Sequence, residues 1–297
     1  MSKCPSSTPD FSVRDFFKRF PNDDVCLDHI MEQRFGLKCF CSTCGVETTF
    51  HRIKERKAYS GANCGHHIYP QAGTIFQDSR TPLQVWYYAI YLFLATRHGV
   101  SGKELQRTLG VTYKTAWRMG QQIRDLMTKA DGFQMLKGHV EADETFVGGM
   151  RAGKRGRGAA GKTIVMGMKE REGRIQTEIV PDVRKPTLRA AVNANVEKGS
   201  IVSTDELLSY GLLTDDGYIH GTVKHGQKQY AFHDTTSDIT HHVNSVESFW
   251  KLFKASVRGT HIHISKKHMQ RYLNEFSFRS NHRERGNLMF DLVVGAL

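Results

Sequence analysis

One stretch near the end of the chain, HHVNSVESFWKLFKASVRG, predicts an amphipathic helix from about Val243 to Arg258. Its apolar residues recur at intervals of three and four, which places their side chains on one face of a helix. The opposite face carries a single carboxylate, Glu247, among cations. A solvated face is the usual explanation, but a carboxylate on a buried helix also suits a metal site that other segments complete. The apolar stripe consists of Val246, Phe249, Trp250, Phe253 and Val257.

The 297-residue chain is basic, with 42 Lys and Arg against 30 Asp and Glu and a net charge of +12. This excess predicts a polyanionic partner, either nucleic acid or an acidic membrane surface. The sequence has no basic amphipathic anchor or lipidation motif, and its N-terminus lacks the apolar core of a signal peptide. Its longest apolar run, VWYYAIYLFLA, is too short to span a bilayer. We therefore expect a cytoplasmic protein with no membrane partner.

All the cysteines lie in the first 64 residues, and a C-x-x-C element among them favours metal binding over disulfides. Cys41 and Cys44, followed by Gly45, resemble a zinc knuckle, in which a tight turn points two thiolates at one ion. In the second pair that a ribbon needs, Cys64 is present but Gly61 stands where the other cysteine would be. The alternative is a degraded ribbon without metal. The expected zinc ligands are Cys41, Cys44, Cys64 and His67, with His66 and Cys39 as further candidates for the fourth position.

Residues 100–127 predict a helix-turn-helix. Ser101 and Glu104 form a capping box at the start of a first helix, and Gly110 lies in the turn. The short glycine turn and the basic second helix favour DNA binding over a plain helical hairpin. The residues of the second helix that are expected to reach bases and phosphates are Tyr113, Lys114, Thr115 and Arg118.

From Lys137 the pattern changes to strands. GHVEADETFVGG, KTIVMGMKER and GRIQTEIVPDV predict three strands, LRAAVNANVEKG predicts a helix, and a fourth strand starts at Ile201 and ends at Asp205. With the helix of Glu247, this is the order expected of an RNase H-like α/β core. Alternation places Asp143 on one face of the first strand and Glu144 on the other. The basic, glycine-rich linker RAGKRGRGAAGK is expected as a solvated loop or a DNA-clamping arm, and the histidine-rich residues 215–242 as loops.

In an RNase H-like core, Asp143, Asp205 and Glu247 converge at one edge of the sheet. Three carboxylates are the ligands that two Mg²⁺ ions need, with positions left open for water and phosphate. One ion would activate the nucleophile, and the other would stabilise the leaving oxygen. Lys254, two helical turns after Glu247, is expected to hold a phosphate. Lys251 and Arg258 on the same helix are expected to contact the DNA backbone.

The chain resembles the DDE transposases of bacterial insertion sequences that carry an N-terminal zinc ribbon, the ISXO-like group. The resemblance implies a DDE triad of Asp143, Asp205 and Glu247, Mg²⁺ or Mn²⁺ as cofactor, binding to terminal inverted repeats, strand cleavage and strand transfer. It also implies action at the nucleoid and assembly at least as a dimer, because two element ends must be joined. The matching segments are AGTIFQDSRTPLQVWYYAIYLF, the helix-turn-helix, ADETFVGG, STDELLSY and HHVNSVESFWKLFKASVRGTHIHISKKHMQRYLNEFSFRSNHR.

Three alternatives remain open from the sequence. Asn244 lies one turn before Glu247 and competes with it as the third ligand. A DNA-binding protein without catalysis and a structure-selective nuclease are the rival functions. The expected domains are a helical entry at 1–25, a degenerate zinc-ribbon-like module at 26–75, a helix-turn-helix region at 81–130 and an RNase H-like catalytic domain at 137–297.

Overall fold

The computed structural model of the protein describes residues 11–148, 162–227, 229–286 and 288–297. The chain divides into a first unit, Met1–Ala130 with His282–Leu297, and a second unit, Asp131–Asn281. None of the described helices is both long enough and apolar enough to cross a membrane. The basic linker expected to be a loop or an arm falls, from residue 151 to 161, outside the described residues.

The first unit combines helices with a small antiparallel sheet in the order β1-β2-β3-β4. Its elements are α1 (Val13–Arg19), α2 (Asp23–Arg34), β1 (Lys38–Phe40), β2 (Glu47–Arg52), β3 (Tyr59–Gly61), β4 (His67–Ile68), α3 (Leu83–Ala95), α4 (Gly102–Leu109), α5 (Tyr113–Asp131, whose last residue falls in the second unit) and, near the end of the chain, α9 (Leu288–Gly295).

An aromatic core surrounds α3. Trp86, Tyr87 and Phe93 of this helix are fully buried. The ring of Phe290 in α9 lies 5.5 Å from that of Tyr87. Residues 282–297 therefore group with the first unit, whereas the catalytic domain was expected to extend to residue 297. Buried apolar contacts decide this placement, and the sequence of α9 does not indicate which helix it packs against.

The cysteine module was expected to begin at Cys26, but the segment at this position belongs to a different element. It lies inside α2, where the backbone N–H of Val25 donates to Asn22 Oδ1 at 3.0 Å and caps the helix. Cys26 is fully buried, and this burial raises the pKa of its thiol to about 12. It is a core residue, and the cysteine module starts with β1.

The second unit contains a five-stranded mixed sheet in the order β7-β6-β5-β8-β9. Strands β5, β6 and β7 are antiparallel neighbours, whereas β8 and β9 run parallel to β5. The elements of this unit are β5 (His139–Val147), β6 (Thr163–Glu170), β7 (Ile175–Val180), α6 (Lys185–Asn195), β8 (Ile201–Asp205), β9 (Ile219–Val223), β10 (Phe232–Asp234), β11 (Ile239–His241), α7 (Asn244–Ser256) and α8 (Lys266–Asn281).

The predicted strands, the helix after them and the amphipathic helix are all present. The loop prediction for residues 215–242 is wrong in part, because this segment contains β9 and the hairpin of β10 and β11. The histidines there are satisfied polar groups where their contacts are described. His220 Nε2 lies 2.9 Å from the Thr204 hydroxyl, and His241 Nδ1 lies 2.8 Å from the hydroxyl of Ser203.

Helices cover both faces of the second unit's sheet. On one face, α6 packs on Val140, Ala142 and Met166. On the other, the apolar stripe of α7 packs with α8 on Val165 and Ile175. The approach of α7 is close at Gly167, where an added Cβ would lie only 2.5 Å from Trp250 Cζ2. Gly167 pairs with Asp143 of β5, so the indole seats α7 beside this carboxylate.

Candidate metal centre and nucleic-acid surfaces

The parallel pairing of β5 with β8 brings two of the expected acidic residues together. Ala142 pairs with Thr204, so the next residues along, Asp143 and Asp205, lie side by side where β8 ends. The local sequence explains this position, because an apolar, β-branched strand carries Asp205 to the edge of the sheet. The Asp205 Oδ1 atom also accepts the backbone N–H of Leu207 at 3.0 Å, which fixes the turn that follows.

Glu144 joins this pair, although strand alternation predicts it on the opposite face. Carboxylate oxygens of Asp143, Glu144 and Asp205 all lie within 4.8 Å of one another. Glu144 is 7% exposed, and its Oε2 accepts a hydrogen bond from the buried Tyr210 hydroxyl at 3.1 Å. Alternation fixes the direction of a Cα–Cβ bond, whereas the long glutamate side chain reaches around the end of β8. We refer to these three residues as the acidic cluster.

The acidic cluster is electrostatically strained. Burial, together with the charges of Glu144, Asp205 and Glu247, raises the pKa of Asp143 from 3.8 to about 8. Like charges held this close favour a bound proton or a bound cation. The donor atoms are hard carboxylate oxygens, which Mg²⁺ and Mn²⁺ prefer. The acidic cluster therefore has the chemistry of a divalent-cation site.

Helix α7 adds Glu247 and Lys254 to the surroundings of Asp143. Glu247 acts on the pKa of Asp143, and its Oε2 lies 3.9 Å from the ammonium group of Lys251. Partial burial lowers the pKa of Lys254, and the charge of Asp143 opposes this shift. Asn244 is the exposed first residue of α7, and only its backbone carbonyl has a described bond, from the Ser248 hydroxyl. Lys251 and Arg258 are exposed.

The cysteine module contains the same turn twice. The N–H of Gly45 donates to the carbonyl of Cys41 at 2.9 Å, and that of Gly65 donates to the carbonyl of Gly61 at 3.0 Å. Gly45 and Gly65 both have φ of +70°, a conformation that favours glycine. Gly61 thus occupies the place of the first cysteine in the second turn. A Cβ there would lie 3.2 Å from Phe50 Cε1.

Three thiols converge between these turns. The Sγ atoms of Cys41, Cys44 and Cys64 lie within 4.8 Å of one another. The pKa of Cys41 is lowered to about 7, first by the backbone N–H of Cys44 and further by Thr43 and the other two thiols. This thiolate character suits zinc. Among the residues described, the group comprises these three cysteines, and the fourth ligand, expected at His67 with His66 and Cys39 as alternatives, stays a prediction.

Helices α4 and α5 are joined by a three-residue turn in which Gly110 is left-handed. The Ser101 hydroxyl accepts the Glu104 N–H at 3.2 Å, and the Thr112 hydroxyl accepts the Thr115 N–H at 3.2 Å. The Ser101 cap is the part of the predicted capping box that the structure shows. Of the expected DNA-contacting residues, Tyr113, Lys114 and Arg118 are exposed, and Thr115 is half-buried.

Residues 135–281 match the family model of the ISXO2-like transposase domain. The chain is 26% identical over 284 residues to an uncharacterized protein in transposable element ISH50 of Halobacterium salinarum, an alignment that covers 88% of this chain and 92% of that protein. It is 28% identical over 127 residues to a transposase-like protein of Haemophilus influenzae, with 42% of this chain and 97% of that protein covered. The chain therefore belongs to the insertion-sequence transposases, and residues 135–281 are its ISXO2-like transposase domain.

Replacing Asp143 by Asn should stabilise the metal-free protein at pH 8. Because the folded-state pKa is raised, folded wild type keeps a proton that the unfolded chain has lost between about pH 4 and 8, and its stability falls as pH rises through this window. Asn does not titrate. The melting temperature of Asp143→Asn should exceed that of wild type at pH 8 by several degrees, at about 2–4 °C per kcal/mol of relieved repulsion, and approach it near pH 4.

Mn²⁺ gives the second arm of this melting experiment. Because the ion competes with the proton, it should raise the melting temperature of wild type more at pH 8 than at pH 6, and raise that of Asp143→Asn little. Asp238→Asn, at a carboxylate that is 95% exposed, serves as the control. A Mn²⁺ effect as large in Asp143→Asn as in wild type would contradict the assignment of Asp143 to a cation site.

Gly61→Cys should complete a four-thiolate zinc site. The backbone already forms the required turn, and the Phe50 ring must move by only a few tenths of an ångström. Zinc retained against a chelator, measured by elemental analysis, should be higher for Gly61→Cys than for wild type. Gly61→Ala is the matched control, since it adds the Cβ without a thiol. Equal retention by the Cys and Ala variants would show that the fourth position is not a ligand position.

Proposed function

We propose that this transposase is a DDE-type enzyme that binds the terminal inverted repeats of its element and catalyses metal-dependent strand cleavage and strand transfer. The observation that carries the proposal is the acidic cluster, with Glu247 and Lys254 beside it on α7. A protein that only binds DNA has no use for repelling carboxylates at the edge of its sheet. The domain match supports the same conclusion.

The second unit, in this proposal, is an RNase H-like core. Three antiparallel strands, a helix, a parallel strand and the helix of Glu247 follow one another in the expected order. Such a core gathers acidic residues from strands that are distant in sequence. Here the β5–β8 register supports that role for Asp143 and Asp205, because it makes them neighbours.

Asp143, Asp205 and Glu247 are the proposed ligands of two Mg²⁺ or Mn²⁺ ions, and Glu144 is an additional donor. When bound, the ions would supply charge that activates the attacking oxygen and stabilises the leaving oxygen. Glu247 is favoured over Asn244 as the third ligand because its charge acts on Asp143. Tyr210 holds the Glu144 carboxylate by its hydrogen bond.

The cations of α7, together with Arg258 two residues after its end, are proposed to bind the DNA backbone. Lys254 is half-buried within electrostatic reach of Asp143, so its ammonium group is suited to a phosphate held at the acidic cluster. Lys251 and Arg258 are exposed and would neutralise neighbouring phosphates. These contacts would orient the DNA strand, whereas the carboxylates would hold the ions that act on the reacting phosphate.

Recognition of the element ends is assigned to the first unit. Tyr113, Lys114, Thr115 and Arg118 of α5 are proposed to contact DNA, and zinc bound by Cys41, Cys44 and Cys64 would stabilise the ribbon. Because two ends must be joined, the active form is proposed to be at least a dimer. It would act at the nucleoid in the cytoplasm, on element ends and target DNA.

A strand-transfer assay with the element's own ends and Mg²⁺ or Mn²⁺ tests the proposal. Asp143→Ala should abolish transfer, a loss of at least about a thousandfold, while it leaves end binding intact. Glu247→Ala should do the same, and Asn244→Ala should keep transfer. Lys114→Ala with Arg118→Ala should weaken end binding instead.

Four outcomes would contradict parts of this proposal. Transfer by Asp143→Ala at the wild-type rate would remove the catalytic assignment. Loss of transfer with Asn244→Ala alone would move the third ligand to that residue. Specific end binding without transfer by the wild type would favour a non-catalytic DNA-binding protein, and cleavage without joining would favour a nuclease.

A further inference from the structure

We propose that Glu141 is a positioning residue that holds the first turn of α7, and therefore Glu247, in place beside Asp143. It is not one of the residues proposed to hold the ions or to bind DNA. The effect of Glu141 on the metal site rests on the proposed function, whereas its contacts with α7 do not. Glu141 lies in β5 two residues before Asp143, on the face of the sheet that α7 covers.

The Glu141 carboxylate caps α7 from a separate element. Oε2 accepts the backbone N–H groups of Ser245 at 2.7 Å and Val246 at 3.2 Å, and Oε1 accepts the Ser245 hydroxyl at 3.1 Å. The residue before the helix, Val243, has no side-chain oxygen with which to cap it. The first N–H groups of a helix need acceptors, and the positive end of the helix dipole favours a carboxylate. Glu141 supplies both.

This carboxylate is fully buried, and two cationic or polar groups accompany it. Arg171 Nε lies 3.4 Å from Oε1, and His242 Nδ1 lies 3.0 Å from the same oxygen. Burying a carboxylate is costly unless hydrogen bonds and opposite charge replace water. The number of partners gathered here on one side chain argues for a precise anchor rather than an incidental contact.

Position along the helix links the anchor to the site. Glu247 is in the same first turn as Ser245 and Val246, and its own N–H donates to the carbonyl of Val243 at 3.1 Å. The side chains of Trp250 and Val246 pack at Gly167, but these apolar contacts supply no acceptor for the N–H groups in the first turn of α7. Glu141 fixes that turn, and with it the position of the Glu247 backbone relative to β5.

Glu141→Gln and Glu170→Gln form a matched pair of variants. Glu170 pairs with Val140, at the same end of the β5–β6 ladder as Glu141, and also accepts two backbone N–H groups, from Lys137 at 2.9 Å and Arg174 at 3.0 Å. Both changes keep the size of the side chain and remove the charge of a carboxylate that accepts backbone N–H groups. Only Glu141 bonds α7. Glu141→Asp serves as the conservative variant, which retains the charge on a shorter side chain.

Two measurements, both well below the melting temperatures, decide the proposal. Amide exchange at Ser245 and Val246 should accelerate about tenfold in Glu141→Gln, as expected for loss of hydrogen bonds to a charged acceptor. Mn²⁺ affinity, measured by the paramagnetic signal of free Mn²⁺, should weaken by about tenfold, with partial recovery in Glu141→Asp. Glu170→Gln should change neither quantity.

Unchanged exchange at Ser245 and Val246 in Glu141→Gln would overturn the anchor. Faster exchange with unchanged Mn²⁺ affinity would overturn its link to the site, and so would equal weakening of Mn²⁺ binding in Glu170→Gln. If wild type binds no Mn²⁺, the proposed function fails instead, and amide exchange alone then decides whether Glu141 holds the helix. The two ideas therefore fail by different results.

Discussion

Repulsion among the carboxylates of Asp143, Glu144 and Asp205 is the constraint around which the second unit is built. An isolated chain would not bring three such groups within 4.8 Å. The sheet does so because β5 and β8 pair in parallel, with apolar side chains of α6 packed beneath them and α7 packed above. The raised pKa of Asp143 reflects its burial and the repulsion from neighbouring carboxylates, and a divalent cation would relieve this repulsion.

The other elements of this unit stabilise that arrangement from separate directions. Gly167 lets the Trp250 ring of α7 approach β6 closely, and the Glu141 carboxylate accepts N–H groups from the first turn of the same helix. One contact is apolar packing and the other is a set of hydrogen bonds, so they hold α7 in two different ways. The described residues thus contain two sets of candidate metal ligands of different character, with hard oxygens in the second unit and thiols in the first.

Most strands and helices of the second unit could be predicted from the sequence, because the spacing of apolar residues indicates which face of an element is buried. The strands from His139 to Val180, the α6 segment and the stripe of α7 all follow their expected spacing. Strand β9 was missed because YIHGTVKHG contains glycine and histidines and forms a strand only beside β8. The helix α2 had a readable cap in Asn22 and apolar residues Leu27, Ile30 and Met31 at helical spacing. Glu144, Glu141 and the placement of α9 depend on side-chain reach and distant packing, which no local pattern encodes.

Carboxylates from β5, β8 and the following helix α7 are proposed to surround one divalent-cation centre. Fe²⁺ bound in place of Mg²⁺ produces hydroxyl radicals that cut the nearest backbone, so the cleavage pattern maps the centre directly. In the folded protein, with ascorbate and peroxide, we expect cuts near residues 143, 205 and 247 that excess Mg²⁺ suppresses and that Asp143→Asn lacks. Cuts confined to one of the three segments, or unchanged by Asp143→Asn, would contradict the claim.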